Sequence, residues 1–171
     1  TPPEEKGAPS FLSWDDARTL LHEFGHALHN ILSDVPWPSI SGTSVARDFV
    51  ELPSQLYEHW LEQPEVLDRH ARHFQTGAPM PVALRDRILA ASNADQGFAT
   101  TEYLESALVD LAFHRGEPPT DPMARQAEVL AALDAPAAIP MRHATPHFSH
   151  VFSGDGYSSG YYSYMWSEVM D

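Results

Sequence analysis

His22, Glu23 and His26 stand in the stretch HEFGHALH at positions 22–29. On a helix, residues four apart lie about 40° apart around the axis and one turn apart in height. Two imidazoles so placed converge on one metal ion, and Glu23, about 100° round from His22, stands beside them. This is the HExxH arrangement: two metal ligands and a glutamate placed to take a proton from water activated at the metal. Leu20, Leu21, Phe24, Leu28 and Ile31 fall on the opposite arc, which predicts an apolar back for the core and a histidine front. His29 shares that front, but the longer pattern HExxHxxGxxH needs Gly at 29 and His at 32. This chain has His29 and Leu32, so His29 is read as a neighbour and not a ligand. The competing reading, a histidine-rich helix without a metal, is disfavoured by the capped start at Ser13 and the apolar stripe opposite the histidines.

A catalytic zinc takes three protein ligands and keeps one position open. The chain has no cysteine, so the third ligand is sought among Glu, Asp and His. Asp48 and Glu51 in RDFVELPSQ are i, i+3 neighbours on one helix face. Packed antiparallel to the histidine helix, this segment would aim one carboxylate at the metal. Glu51 is preferred, with Asp48 as an outer partner. Spacing alone leaves both readable as solvated carboxylates, two among 24 acidic residues.

A second set lies near the C-terminal end. Four of the six tyrosines fall within residues 157–164. Tyr157, Tyr161 and Tyr164, at i, i+4 and i+7, share one face of an expected helix. His150 precedes them across the glycine-bearing stretch SGDG. Hydrolysis by a metal-activated water develops an oxyanion at an attacked carbonyl, and tyrosine and histidine are suitable donors to it. On pattern alone the tyrosines read equally as an aromatic stripe packed in the core. Gly154 and Gly156 suggest a loop that closes over substrate. Of the remaining histidines, His70 and His73 read as solvated, His59 and His114 as structural, and His143 and His147 carry no assignment.

The elements that must position these residues read as all-α. Residues 1–12 read as a loop. Ser13, followed by Asp15 and Asp16, starts a helix over 14–32. DVPWPSISGTS is turn material. Residues 44–62 are helical in pattern, with Pro53 either kinking the helix or restarting it at a first turn. Helical patterns follow at about 64–74, 81–93, 98–115 and 121–134. Residues 139–160 look irregular, and a last helix is expected from about 157 to the end. No stretch reads as a strand or a repeat.

The chain has 171 residues, 43% of them hydrophobic, and a net charge of −14. It is long enough for about one domain with a buried core. Nucleic acid and anionic membrane surfaces are poor partners for so acidic a chain. No run approaches the roughly 20 apolar residues of a membrane span, and the N-terminal stretch has no signal-peptide pattern. The absence of cysteine suits a reducing compartment. The chain begins without Met and ends on an apolar, aromatic stretch, so it is expected to be a piece of a longer protein.

HEFGHALH followed by RDFVELPSQLYEHW resembles the thimet oligopeptidase and peptidyl-dipeptidase family of zinc peptidases. FSHVFSGDGYSSGYYSYMWSEV resembles the same family, as does GFATTEYLESALVDLAFH more loosely. The wording of the C-terminal motif is closer to the bacterial peptidyl-dipeptidases. The resemblance implies that one zinc ion is held by His22, His26 and Glu51, with Glu23 as general base. It implies that His150, Tyr157 and Tyr164 face substrate, one tyrosine donating to the oxyanion, and that Tyr161 contacts substrate. The spacing from the histidine to the first tyrosine varies in the family, so Tyr157 is assigned from the YYSYMW side. The implied fold is mostly helical, in two halves around a channel that admits only short peptides, and this chain is a partial catalytic domain. The expected partners are an oligopeptide substrate and the rest of the parent polypeptide, in a cytoplasmic monomer. Release of C-terminal dipeptides is the expected activity. Internal cleavage of short peptides and a non-catalytic helical zinc module are the alternatives, and the isolated piece is expected to be inactive.

Overall fold

Capping side chains, prolines and glycines set the helix boundaries of this chain, and a computed structural model describes its residues 10–171. The expected loop over 1–12 falls mostly outside them. Helix α1 spans Trp14–Ile31. The Ser13 hydroxyl accepts from the Asp16 N–H at 3.0 Å, and the Asp16 carboxylate accepts from the Ser13 N–H at 3.0 Å. This reciprocal pair satisfies two of the donors that a helix start leaves open. After a short 3₁₀ turn at Pro38–Ile40 come α2 (Arg47–Val50) and α3 (Leu52–Glu58). Of the two readings of 44–62, a kink or a restart at Pro53, the structure has the restart, with the break at Glu51. Pro53 sits in the first turn of α3, where its missing N–H has no helical partner to lose. A 3₁₀ turn at His59–Glu62 leads into α4 (Pro64–His70). The pattern had extended this helix to 74, but Ala71 leaves helical geometry (ψ 77°), and Arg72 pairs with Pro79 across a turn.

Helices α5 (Val82–Ala91), α6 (Gln96–Phe113) and α7 (Pro122–Ala132) match the expected segments to within a few residues. Then come a 3₁₀ turn at Thr145–His147 and the short α8 (Ser149–Phe152), within the segment read as irregular. The last helix, α9, spans Ser163–Met170. It starts later than expected, because the Asp110 carboxylate takes the N–H groups of Ser159 and Tyr161. Among the described residues there are helices and turns but no strand, and the all-α expectation holds. No helix among the described residues is long and apolar enough to cross a membrane.

The chain divides into two units: one runs to Leu89 and includes Ser167–Asp171, the other is Ala90–Trp166. In the first, α1 packs on α3. A Cβ on Gly25 would lie 2.5 Å from Ser54 Cα and 2.8 Å from the Pro53 carbonyl oxygen, so only glycine permits this approach. Among the residues of α1, Gly25 alone is buried. The histidine side shares the packing with part of the expected apolar back: Leu21 and Leu28 are half-buried, whereas Leu20 is 58% and Ile31 72% exposed. In the second unit, Ala107, Val109, Val129, Met141, Phe148, Val151 and Tyr161 form the core.

A candidate metal centre and an aromatic cluster

Glu51 is the C-cap of α2 and the N-cap of α3, and none of it reaches solvent. The break at this junction turns its side chain toward α1. Ser54 steadies it, donating its hydroxyl to the Glu51 carbonyl at 2.7 Å and lying 3.4 Å from Glu51 Oε2. That same Oε2 is 3.3 Å from His22 Nε2 and 3.3 Å from His26 Nε2. The two imidazole rings stand nearly perpendicular, with centroids 4.9 Å apart. One donor atom from each of His22, His26 and Glu51 lies within 4.8 Å of the others.

The structure adds a residue that spacing did not single out. His22 Nδ1 donates to Glu58 Oε1 at 2.7 Å. This bond sets the angle of the ring and points Nε2 at Glu51. Arg18 braces Glu58 at 3.8 Å and Glu62 at 3.3 Å. Sequence had pointed to Asp48 as an outer partner; Glu58 is a further one, on His22, seven residues beyond Glu51 and two turns along. His26 Nδ1 and His29 Nδ1 are buried and have no partner among the described groups. His29 meets Phe49 edge to face at 6.3 Å and belongs to no metal-type cluster. Glu23 is exposed beside His22.

Two imidazole nitrogens and one carboxylate oxygen are a zinc-type donor set, and three protein ligands leave a position open for water or substrate. A carboxylate buried this deeply also calls for a positive partner. Burial lowers the pKa of His22, but the hydrogen bonds and charges of Glu51 and Glu58 outweigh it and raise the group to about 9. The two acids thus favour positive charge at this point, whether a proton or a cation carries it.

In the second unit His150 is exposed. Its ring centroid lies 5.8 Å from Tyr157, 6.1 Å from Tyr161 and 6.5 Å from Tyr164. Tyr157 and Tyr164 stack at 5.6 Å with 10° between their planes. The cluster forms although residues 157–162 are turns and the expected helical face does not exist. Tyr161 differs from the expectation of a substrate contact. It is 5% exposed, meets Phe148 edge to face at 4.6 Å, and belongs to the core. Burial pushes its hydroxyl pKa up. His143 stacks on Phe148, and its pKa is lowered by burial, with Arg142 and His150 adding to the shift.

Comparison with known proteins gives concordant results. The model of Peptidase family M3 matches residues 1–171. The chain is 42% identical over 169 residues to dipeptidyl carboxypeptidase of Escherichia coli (strain K12), covering 96% of this chain and 24% of that protein. It is 41% identical over 169 residues to oligopeptidase A of the same strain, with 96% and 25% covered. To mitochondrial intermediate peptidase of Botryotinia fuckeliana it is 35% identical over 167 residues, with 95% and 21% covered. The chain thus spans about a quarter of the length of the first two relatives.

Proposed function

Since the chain belongs to peptidase family M3, we propose that it forms part of the catalytic region of a zinc metallopeptidase that hydrolyses short peptides. The observation that carries this reading is the convergence of His22 Nε2 and His26 Nε2 on Glu51 Oε2, each at 3.3 Å, beside an exposed Glu23. His22, His26 and Glu51 would hold one zinc ion, and Glu58 orients His22 through Nδ1. Zinc bound there would supply Lewis acidity, making water nucleophilic near neutral pH. Glu23 takes the proton from the attacking water and passes it to the leaving amine. His150, Tyr157 and Tyr164 are assigned to the substrate, one tyrosine donating to the developing oxyanion. Tyr161 is assigned a supporting place beneath them, in keeping with its burial.

Release of C-terminal dipeptides is the preferred activity, by likeness to a protein named dipeptidyl carboxypeptidase. The similar identity to a protein named oligopeptidase A keeps internal cleavage as the second reading. The parent protein is assigned to the cytoplasm as a monomer, with the rest of its polypeptide completing the peptide site. The test is Glu23→Gln in the full-length protein. Retained zinc with kcat reduced about 10²- to 10⁴-fold is expected for a lost general base. Unchanged turnover at full zinc content would refute the role given to Glu23.

A further inference from the structure

Asp110 lies in α6 with none of its surface exposed to solvent. Its two carboxylate oxygens divide the labour. Oδ1 accepts from the Ser159 N–H at 2.9 Å, and Oδ2 accepts from the Tyr161 N–H at 3.0 Å. His114, one turn along α6, brings Nδ1 to 2.9 Å from Oδ1 and stacks its ring on Phe152. Ser159 has a φ of 58°, in the left-handed region that a serine visits only when its surroundings compel it. That geometry lets two N–H groups two residues apart reach one carboxylate. Seven residues before Asp110 on the same helix, the Tyr103 hydroxyl donates to the Tyr161 carbonyl and accepts from the Met165 N–H at 3.3 Å. One face of α6 therefore grips the Tyr161 backbone at both its donor and its acceptor.

The segment so held carries Tyr157 on one side and Tyr164 on the other. Those rings stack on each other and flank His150. We propose that Asp110 is a positioning residue for the peptidase reaction: its carboxylate holds the turn that sets the Tyr157–Tyr164–His150 constellation. The inference rests on the substrate role proposed for that constellation. It assigns Asp110 no contact with substrate; the residue acts through the backbone it holds. A carboxylate suits the task because each of its oxygens takes one backbone N–H, from Ser159 and from Tyr161, while His114 Nδ1 lies 2.8 Å from the Asp110 backbone carbonyl. An amide in its place would set an N–H group against one of the two backbone donors.

The experiment uses the full-length, zinc-loaded protein and begins with the unmodified form. The Ser159 and Tyr161 amides should be the slowest to exchange with deuterium within residues 153–162. Exchange as fast as at Gly154 and Asp155 would overturn the proposal without any variant. Asp110→Asn should then speed exchange across residues 158–164 and lower kcat by about 10- to 100-fold, as displaced supporting groups do. KM should stay within about threefold, with zinc content unchanged. In a Tyr164→Phe background the same substitution should cost less than about threefold, because both act through one group. Overall destabilisation would instead give losses that multiply. Should Asp110→Asn not fold, Asp110→Glu, which keeps charge and acceptors while shifting them, is expected to give the same pattern in weaker form. Lost protection at Ser159 and Tyr161 with kcat within twofold of the parent would refute positioning while leaving the peptidase reading intact. Protection that persists in a full-length, zinc-loaded protein that hydrolyses no peptide would refute the peptidase reading instead.

Discussion

Glu58 and Glu51 divide between them the work of preparing His22. Glu58 takes the Nδ1 proton at 2.7 Å, while Glu51 and His26 stand on the Nε2 side. A metal-binding imidazole needs both halves of this arrangement, because the outer acceptor fixes the ring's angle and raises its basicity. Glu58→Ala should therefore weaken zinc binding by about 10- to 100-fold, measured by competition with a chelator. The helix content should not change, since Glu58 is the last residue of α3. Affinity equal to that of the parent would show that Glu58 is only a partner for Arg18. At this scale HExxH was legible because a helix turns a spacing of four into a shared face. Glu51 was found by eliminating cysteine and looking to the next helix, and it stayed one of two candidates. Glu58 was missed because its partner nitrogen lies on α1, and no spacing within α3 marks an acceptor for the outer nitrogen of His22. Asp110 was missed for a different reason: a carboxylate that binds backbone N–H groups 49 and 51 residues away leaves no periodic mark.

Two elements depend on a single glycine. Gly25 brings α1 against the first turn of α3, and this approach carries Glu51 to the histidines. Alanine at this position would favour the isolated helix by about 1 kcal/mol. The added methyl would nonetheless meet backbone atoms at 2.5 and 2.8 Å, which no side-chain rotation relieves. Gly25→Ala is expected to destabilise the fold by a net ~1–3 kcal/mol, read from the denaturant midpoint, and to lower zinc affinity with it. A variant as stable as the parent with full zinc affinity would show that the helices need not approach so closely. The periodicity of α1 was read as amphipathic, but the packed side is shared between the stripe and the histidines. Leu20 and Ile31 look outward, Leu21 and Leu28 are half-buried, and Phe24 meets Tyr57 of α3 at 5.6 Å. Hydrophobic pattern predicts a face that seeks burial, whereas a glycine among polar residues marks a backbone contact. The late start of α9 has a similar origin, because residues 157–162 have helical sequence pattern but the N–H groups of Ser159 and Tyr161 are claimed by Asp110 of α6.

At the scale of the molecule, the helical class and most loop positions were legible, because prolines, glycines and capping residues punctuate the chain at its actual breaks. The two-unit division was not, since no long linker announces it at Leu89 or Trp166. The net charge of −14 suits a site that recruits a cation more than one that recruits phosphate. The chain spans about a quarter of its peptidase relatives in Escherichia coli. The proposed function stands or falls on the claim that His22, His26 and Glu51 together hold a catalytic zinc. Diffraction from crystals of the full-length protein, recorded at the zinc absorption edge, tests that claim most directly. The account predicts a single anomalous peak within about 2.0–2.2 Å of His22 Nε2, His26 Nε2 and a Glu51 oxygen, with one further position open to water. A peak elsewhere, or a closed shell in which His29 or Asp48 supplies a fourth ligand, would contradict it.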